Sequence, residues 1–182
     1  MAGWCRRSSL NLKTCVIWLT GLPAAGKSTI AKALAEELSK SGQRPCVLDG
    51  DSIRRGLCAD LGFSREDRRE NVRRVGGAAK LLYEQGIIPI VALISPYRSD
   101  RELVREMIPP GHFIEVYVNA PLSVCEQRDP KGLYAKARAN DLKEFTGISA
   151  PYESPHAPEI ELLTDKITVA EAVAEILGRL EN

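Results

Sequence analysis

The residues Gly21-Leu22-Pro23-Ala24-Ala25-Gly26-Lys27-Ser28 follow the pattern G-x-x-x-x-G-K-[ST] without a mismatch. The chemistry of such a loop is phosphate capture. Gly21 and Gly26 permit the tight backbone that turns successive N–H groups inward as an anion nest. A helix opening at the end of the loop adds the positive end of its dipole. Lys27 can then reach the β- and γ-phosphates of a nucleoside triphosphate, the hydroxyl of Ser28 can ligate Mg²⁺, and Thr29 begins the helix beside them. The sequence therefore predicts ATP and Mg²⁺ as cofactors.

The motif means this only if a strand precedes it and a helix follows. Both are expected. Short runs rich in β-branched residues predict buried strands at 15–20, 45–48, 87–94 and 113–118, with a weaker fifth at Ile160–Leu163. Helical spacing places Ile30, Leu34 and Leu38 on one face of 27–39. Ser64-x-x-Asp67 reads as a helix cap, followed by Val72, Val75, Ala79 and Leu82 at helical intervals until Gly86. A last amphipathic helix spans 168–180. Strand alternating with helix predicts an α/β fold: one P-loop domain over 14–182, with these five strands in a mostly parallel sheet covered on both faces. Residues 129–158 carry Pro130, Pro151, Pro155 and Pro158 and few strand formers, and read as a lid-like excursion before the last strand.

Composition excludes several classes. With 182 residues and 44% hydrophobic side chains, the chain can bury a core as a single domain. Its 25 basic and 24 acidic residues give no reason to invoke nucleic acid or a membrane surface. Five scattered cysteines without a C-x-x-C pair fit a reducing compartment, and two histidines argue against a zinc site. The N-terminal segment 1–13 holds Arg6 and Arg7 with no long apolar stretch after them, so the expected localisation is cytoplasmic.

Asp49-Gly50-Asp51 falls just after the second strand, at the sheet edge where α/β proteins bind ligands. The two carboxylates could hold a metal or orient an acceptor hydroxyl; equally, they could cap a helix in an Asp-Gly turn. Arg54, Arg55, Arg65, Arg68, Arg69, Arg73 and Arg74 follow. Most of these should form a solvated helix face, while one or two could clamp an anion.

From here the chain resembles the adenylylsulfate kinase (APS kinase) family over roughly residues 15–180. The segments that carry the resemblance occur in order: LDGDSIRRGL (48–57), DLGFSREDRRENVRRV (60–75), ISPYRSDR (94–101), CEQRDPKGLY (125–134), EFTGI (144–148) and PYESPHAPE (151–159). The resemblance implies transfer of the ATP γ-phosphoryl to the 3'-hydroxyl of adenosine 5'-phosphosulfate (APS), giving 3'-phosphoadenylylsulfate. It implies that Asp51 handles the hydroxyl and that Asp49 acts nearer the metal. Arg54, Arg68 and Asn71 would bind APS, with Phe63 and Phe145 on either side of its adenine. Those two phenylalanines lie outside the predicted strands, which suits stacking better than core packing. Lys131 would meet the nucleotides and Arg128 the adenine or phosphates of ATP, with solvated surface the plain alternative for both. Ile94 and Ser95 would line the APS pocket. The family also has a phosphoserine, described as an intermediate, at the Ser95 position; direct in-line transfer needs no covalent stop, so a hydrogen-bonding hydroxyl is the alternative.

The chain departs from the family where Pro23-Ala24 replaces Ser-Gly, where Ser52 stands for asparagine, and where Gly77 replaces a frequent glutamate. Gly76 and Gly77 together should weaken their helix. Self-association as a homodimer and a functional link to ATP sulfurylase are further expectations from the resemblance. Its rivals are a P-loop kinase of another small acceptor and a non-catalytic nucleotide-binding partner of a sulfurylase.

Overall fold

The structure is a computed structural model that describes residues 13–181. Cys5 and the expectation for residues 1–12 lie outside the described residues. The elements run β1 (Val16–Thr20), α1 (Lys27–Lys40), β2 (Pro45–Asp49), α2 (Gly50–Arg55), α3 (Arg65–Glu84), β3 (Ile88–Ala92), α4 (Arg98–Met107), β4 (Phe113–Asn119), α5 (Leu122–Arg128), α6 (Leu133–Arg138), β5 (Ile160–Leu163) and α7 (Val169–Leu180). The five strands form one sheet in the order β2-β3-β1-β4-β5, and every pairing is parallel.

Strand β1 lies at the centre, and its VIWLT sequence is buried on both faces. That is why it reads as a continuous apolar run rather than an alternating one. Ile17 sits opposite Ile90 of β3 on one side and Ile114 of β4 on the other. On one face of the sheet, Ile30, Leu34 and Leu38 of α1 pack with Ile176 and Leu180 of α7. On the other, Val72, Val75 and Ala79 of α3 pack with Val104 of α4. Ser64 caps α3 by accepting from the Asp67 amide, as the spacing predicts.

Two elements behave differently from the sequence pattern. Helix α4 escapes hydrophobic periodicity because its buried positions include Asp100 and Arg101 beside Val104. The glycine pair in α3 splits into two roles. A Cβ on Gly76 would lie 2.6 Å from Val104 Cγ2, so that glycine sets the close approach of α3 and α4, whereas one on Gly77 would meet nothing within 4 Å.

The carboxyl ends of β1, β2 and β3 open onto the same rim. Residues 21–26 leave β1 there and lead into α1, and residues 49–51 leave β2 into α2. Residues 129–158 contain α6 and a turn in which Thr146 bridges to Ala150, and are otherwise irregular.

Candidate active site

The loop after β1 has the conformation its glycines allow. Gly21 has φ 147° and Gly26 has φ 111°. A Cβ at Gly21 would sit 2.3 Å from the Val118 carbonyl oxygen, so no other residue fits between the loop and β4. Ala24 occupies the left-handed region at φ 59°. The replacement of the family's glycine by Ala24 therefore strains the loop, since a non-glycine residue costs about 1 kcal/mol there. Lys27 is buried and its ammonium donates to the carbonyls of Gly21 (2.9 Å) and Leu22 (2.7 Å). Burial pushes its pKa down to about 8, against smaller opposing effects of Cys125 and Asp49.

Ser28 and Asp49 meet in front of this loop, the serine hydroxyl donating to Asp49 Oδ2 at 2.5 Å. Asp49 Oδ1 accepts the amide of Asp51 at 3.0 Å and so caps α2. Helix cap and ligand-facing carboxylate are therefore the same residue, each function using one oxygen. Among the described residues no three His, Cys, Asp or Glu side chains cluster as a metal cage. A hydroxyl and a carboxylate beside a phosphate loop are the hard oxygen donors that suit Mg²⁺, which keeps waters and phosphate oxygens as its remaining ligands.

Across the cleft, Phe63 is 53% exposed with the Arg54 guanidinium 4.3 Å from its ring centre. Phe145 is only 8% exposed and meets Tyr134 edge-on at 5.0 Å. The expectation that both phenylalanines serve stacking rather than packing needs correction at Phe145: it lines the cleft and also belongs to the core cluster. Arg68 is buried between the two aromatic segments. It donates to the carbonyls of Phe63 (2.8 Å) and Glu144 (2.5 Å) and to the Thr146 hydroxyl (3.2 Å). Three of its donors are therefore engaged with protein, which ties the lid-like segment to α3. Asn71, 6% exposed, lines the cleft with an Oδ1 that has no protein partner. A buried acceptor of this kind is satisfied by a ligand or water. By contrast, Arg73 and Arg74 pair with Glu70 and Asp60 on the helix surface, in keeping with a solvated face.

From the lid-like segment, Lys131 reaches across the opening to the Asp51 carboxylate, with both side chains more than half exposed. Ser95 is buried; its hydroxyl accepts from Trp18 Nε1 and donates to Thr20 Oγ1, each at 3.1 Å. One cleft of about 450 Å³ is lined by Pro23, Ala24, Gly26, Lys27, Ser28 and Thr29 together with Asp49, Asp51, Arg54, Phe63, Arg68, Asn71, Ile94, Ser95, Lys131 and Phe145. That size holds small-molecule ligands. Gly21, Leu22 and Ala25 are not among the residues that line the cleft. Arg128 stands apart, on the outer side of the loop, donating to the Ala25 carbonyl (3.4 Å) and the Thr164 carbonyl (2.5 Å).

Two residues escaped the sequence reading. Thr164, just past the end of β5, donates to the Ala25 carbonyl at 2.8 Å, and Tyr134 donates to the Pro23 carbonyl at 3.0 Å. The position of Thr164 at the carboxyl end of a strand was the available signal.

Fold and site together define a P-loop phosphotransferase with a second, aromatic-lined subsite facing the phosphate loop. Residues 13–163 match the family model for adenylylsulphate kinase. An adenylyl-sulfate kinase of Marinobacter nauticus is 53% identical over 177 residues, which is 97% of this chain and 89% of that protein. One of Geotalea daltonii is 56% identical over 163 residues, 90% of this chain and 80% of that protein. The APS kinase CysC of Mycobacterium tuberculosis, solved in complex with AMPPNP and APS, superposes with a TM-score of 0.89 at 42% identity, covering 94% of this chain and 99% of that one. A gluconokinase of Sinorhizobium meliloti, at 19% identity and TM-score 0.61, shares the fold. The chain belongs to the adenylylsulfate kinase family. Its activity is that of the family, ATP- and Mg²⁺-dependent phosphorylation of APS.

Proposed function

We propose that the two halves of the cleft hold the two nucleotides face to face, the loop amides and Lys27 on the triphosphate of ATP, Phe63 and Phe145 around the adenine of APS. The observation that supports this reading is that Asp51 lines the same single cleft as the phosphate loop, Phe63 and Phe145. The APS 3'-oxygen forms its bond to the γ-phosphorus as the bond to the β–γ bridging oxygen breaks. ADP leaves, and the hydroxyl proton passes toward the Asp51 carboxylate. Mg²⁺, when bound beside Ser28 and Asp49, neutralises charge on the phosphate oxygens. Lys27 and the loop amides stabilise the charge that develops on the transferring group. Arg54 and Asn71 face the phosphosulfate end of APS, while Arg68 holds the aromatic walls at their spacing. Ser95 positions rather than reacts, because its hydroxyl is already engaged on both sides. Residues 129–158 close the cleft, with Lys131 paired to Asp51 across its opening, and keep water from the γ-phosphoryl.

A coupled assay comparing APS with AMP, shikimate and gluconate tests the acceptor. Turnover with APS alone is the expected result; equal or better turnover with another acceptor overturns it. Tight APS binding without product under saturating Mg·ATP would instead favour a non-catalytic module, against which the joint presence of Lys27, Ser28, Asp49 and Asp51 argues.

The same reading includes a reducing, cytoplasmic setting, supported by unpaired thiols at Cys15, Cys46, Cys58 and Cys125. Among the described residues no helix is long and apolar enough to cross a membrane. It also includes self-association of the chain, supported by the hexameric APS kinase of Thiobacillus denitrificans, 35% identical over 94% of this chain and 29% of that one. Light scattering measures that state. A functional link to ATP sulfurylase completes the proposal, since APS must be supplied by adenylyl transfer to sulfate.

A further inference from the structure

Helix α4 contributes no cleft-lining residue, yet it buries an arginine. Arg101 is 2% exposed, and its guanidinium uses three separate donors. Nε donates to Glu115 Oε1 of β4 at 2.6 Å, one terminal nitrogen to the Ser95 carbonyl at 2.7 Å, and the other to the Glu153 carbonyl at 2.8 Å. A buried ion pair is weak evidence of a stabilising role, because a well-packed apolar pair of similar volume commonly serves the fold as well. The two backbone carbonyls are what an apolar pair could not hold.

Those carbonyls belong to segments far apart in sequence: Ser95 lines the cleft, and Glu153 lies behind it, eight residues after the cleft-lining Phe145. Ile94, Ser95 and Pro96 form the wall of the cleft. Ser95 has φ 37°, a left-handed conformation that a non-glycine residue keeps only where its surroundings over-determine it. Glu153 belongs to the stretch by which the lid-like segment returns to the sheet. Four further bonds join the same two stretches or dock the second. The Glu153 amide donates to the Pro96 carbonyl at 2.8 Å. The Arg98 amide donates to Glu153 Oε2 at 2.9 Å, and Arg98 Nε to the Ser154 carbonyl at 2.7 Å. The Tyr152 hydroxyl lies 3.0 Å from Thr20 Oγ1. Just upstream, the Phe145 carbonyl accepts the amide of Ala150 at 3.0 Å, closing the turn that carries the aromatic ring. Arg101 is thus the buried centre of a seam that ties the Ser95 wall to the stretch following the Phe145 turn, and it does not itself line the cleft.

We infer that Arg101 is a positioning residue for the acceptor: its fork clamps the Ser95 wall to the returning end of the lid-like segment and so fixes the width of the APS subsite. This rests on APS occupying the half of the cleft between Phe63 and Phe145. Lysine keeps the charge for Glu115 but, as a point charge on a flexible stem, cannot hold two carbonyls in a fixed fork.

The test is Arg101→Lys, with KM for APS measured at saturating Mg·ATP, KM for ATP at saturating APS, and thermal unfolding with and without ADP. The expected result is a KM for APS raised about tenfold, KM for ATP within about twofold, and an undiminished ADP-induced rise in Tm. Equal effects on both substrates, or none on either, overturn the proposal. Should Arg101→Lys fail to unfold cooperatively, the double variant Arg101→Met with Glu115→Met restores a packed interior without the fork. It should fold and still show the APS-selective defect, and a wild-type KM for APS in that variant rejects the clamp. Wild-type turnover of APS is scored first. If APS proves not to be the acceptor, that assignment fails by itself, and the same two-substrate split with the acceptor actually used decides Arg101.

Discussion

Around residues 21–28 the groups that face a phosphate are main-chain amides, one lysine and one hydroxyl, all set by the turn between a buried strand and a helix. Across the cleft the facing groups are side chains from three separated stretches, 54–71, 94–96 and 131–145, held by arginines that bond to carbonyls. The first half tolerates almost no change in backbone, because Gly21 has the Val118 carbonyl against it. The second half depends on the spacing between segments. Local geometry builds the donor site and tertiary clamping builds the acceptor site, so the two should fail differently.

The largest effect is expected on the donor side. Lys27→Ala removes the buried ammonium that bonds the loop carbonyls and that is proposed to meet the γ-phosphoryl, and should lower kcat by about 10³-fold with the fold intact. Retention of most activity would contradict that role.

Next come the two phenylalanines, which sharpen the comparison inside the acceptor half. Phe63→Ala should raise KM for APS by a factor of about 5 to 160, the equivalent of roughly 1–3 kcal/mol of stacking, with little change in Tm because the ring is half exposed. Phe145→Ala should do the same and also lower stability by roughly 3 kcal/mol or more, since that ring is core. Kinetics and thermal unfolding on both variants check the split; matching Tm losses would remove the distinction.

A smaller effect separates the halves by pH. The folded-state pKa of Lys27 is lowered to about 8 by burial, from an ordinary value of 10.5. Its proton is therefore bound more weakly in the folded chain than in the unfolded one, and its contribution to stability rises as pH climbs between those values. For activity the sign is opposite. Loss of the charge should make kcat/KM for ATP fall by up to about tenfold per pH unit above pH 8, while kcat stays flatter because bound phosphates restore the charge. A profile for ATP that stays level to pH 9.5 would refute this.

The smallest effect is Ala24→Gly. Relieving the left-handed alanine should raise stability by up to about 1 kcal/mol, visible as a higher Tm, with KM for APS unchanged. A lower Tm would mean that the alanine methyl is a packing contact rather than a source of strain.

Which residues were legible in the sequence follows the same division. The loop from Gly21 to Ser28, the strand before it and the helix after it could be read directly, because their constraints lie within a few residues of one another. Ser64 capping α3 and the buried faces of α1 and α3 were legible for the same reason. Asp49 illustrates the middle ground: residue type and place allowed a helix cap or a metal-facing carboxylate, and only the fold showed one oxygen capping α2 and the other accepting from Ser28. Helix α4 was illegible because its buried side chains are charged, which no hydrophobic period reports. Gly76 read as a weakness and proved to be the contact point with Val104.

By itself the sequence determined a parallel α/β core and a phosphate-binding loop, because residue types and short-range spacing carry that information; the residues expected to face a second nucleotide were implied by the family resemblance. Only the tertiary structure decided that Phe145 is half wall and half core, that Arg68 spends three donors on protein, and that Arg101 joins the Ser95 wall to Glu153. Those outcomes depend on which distant carbonyls come within hydrogen-bonding distance once the sheet is assembled, and the distance between segments is not a property any one of them carries.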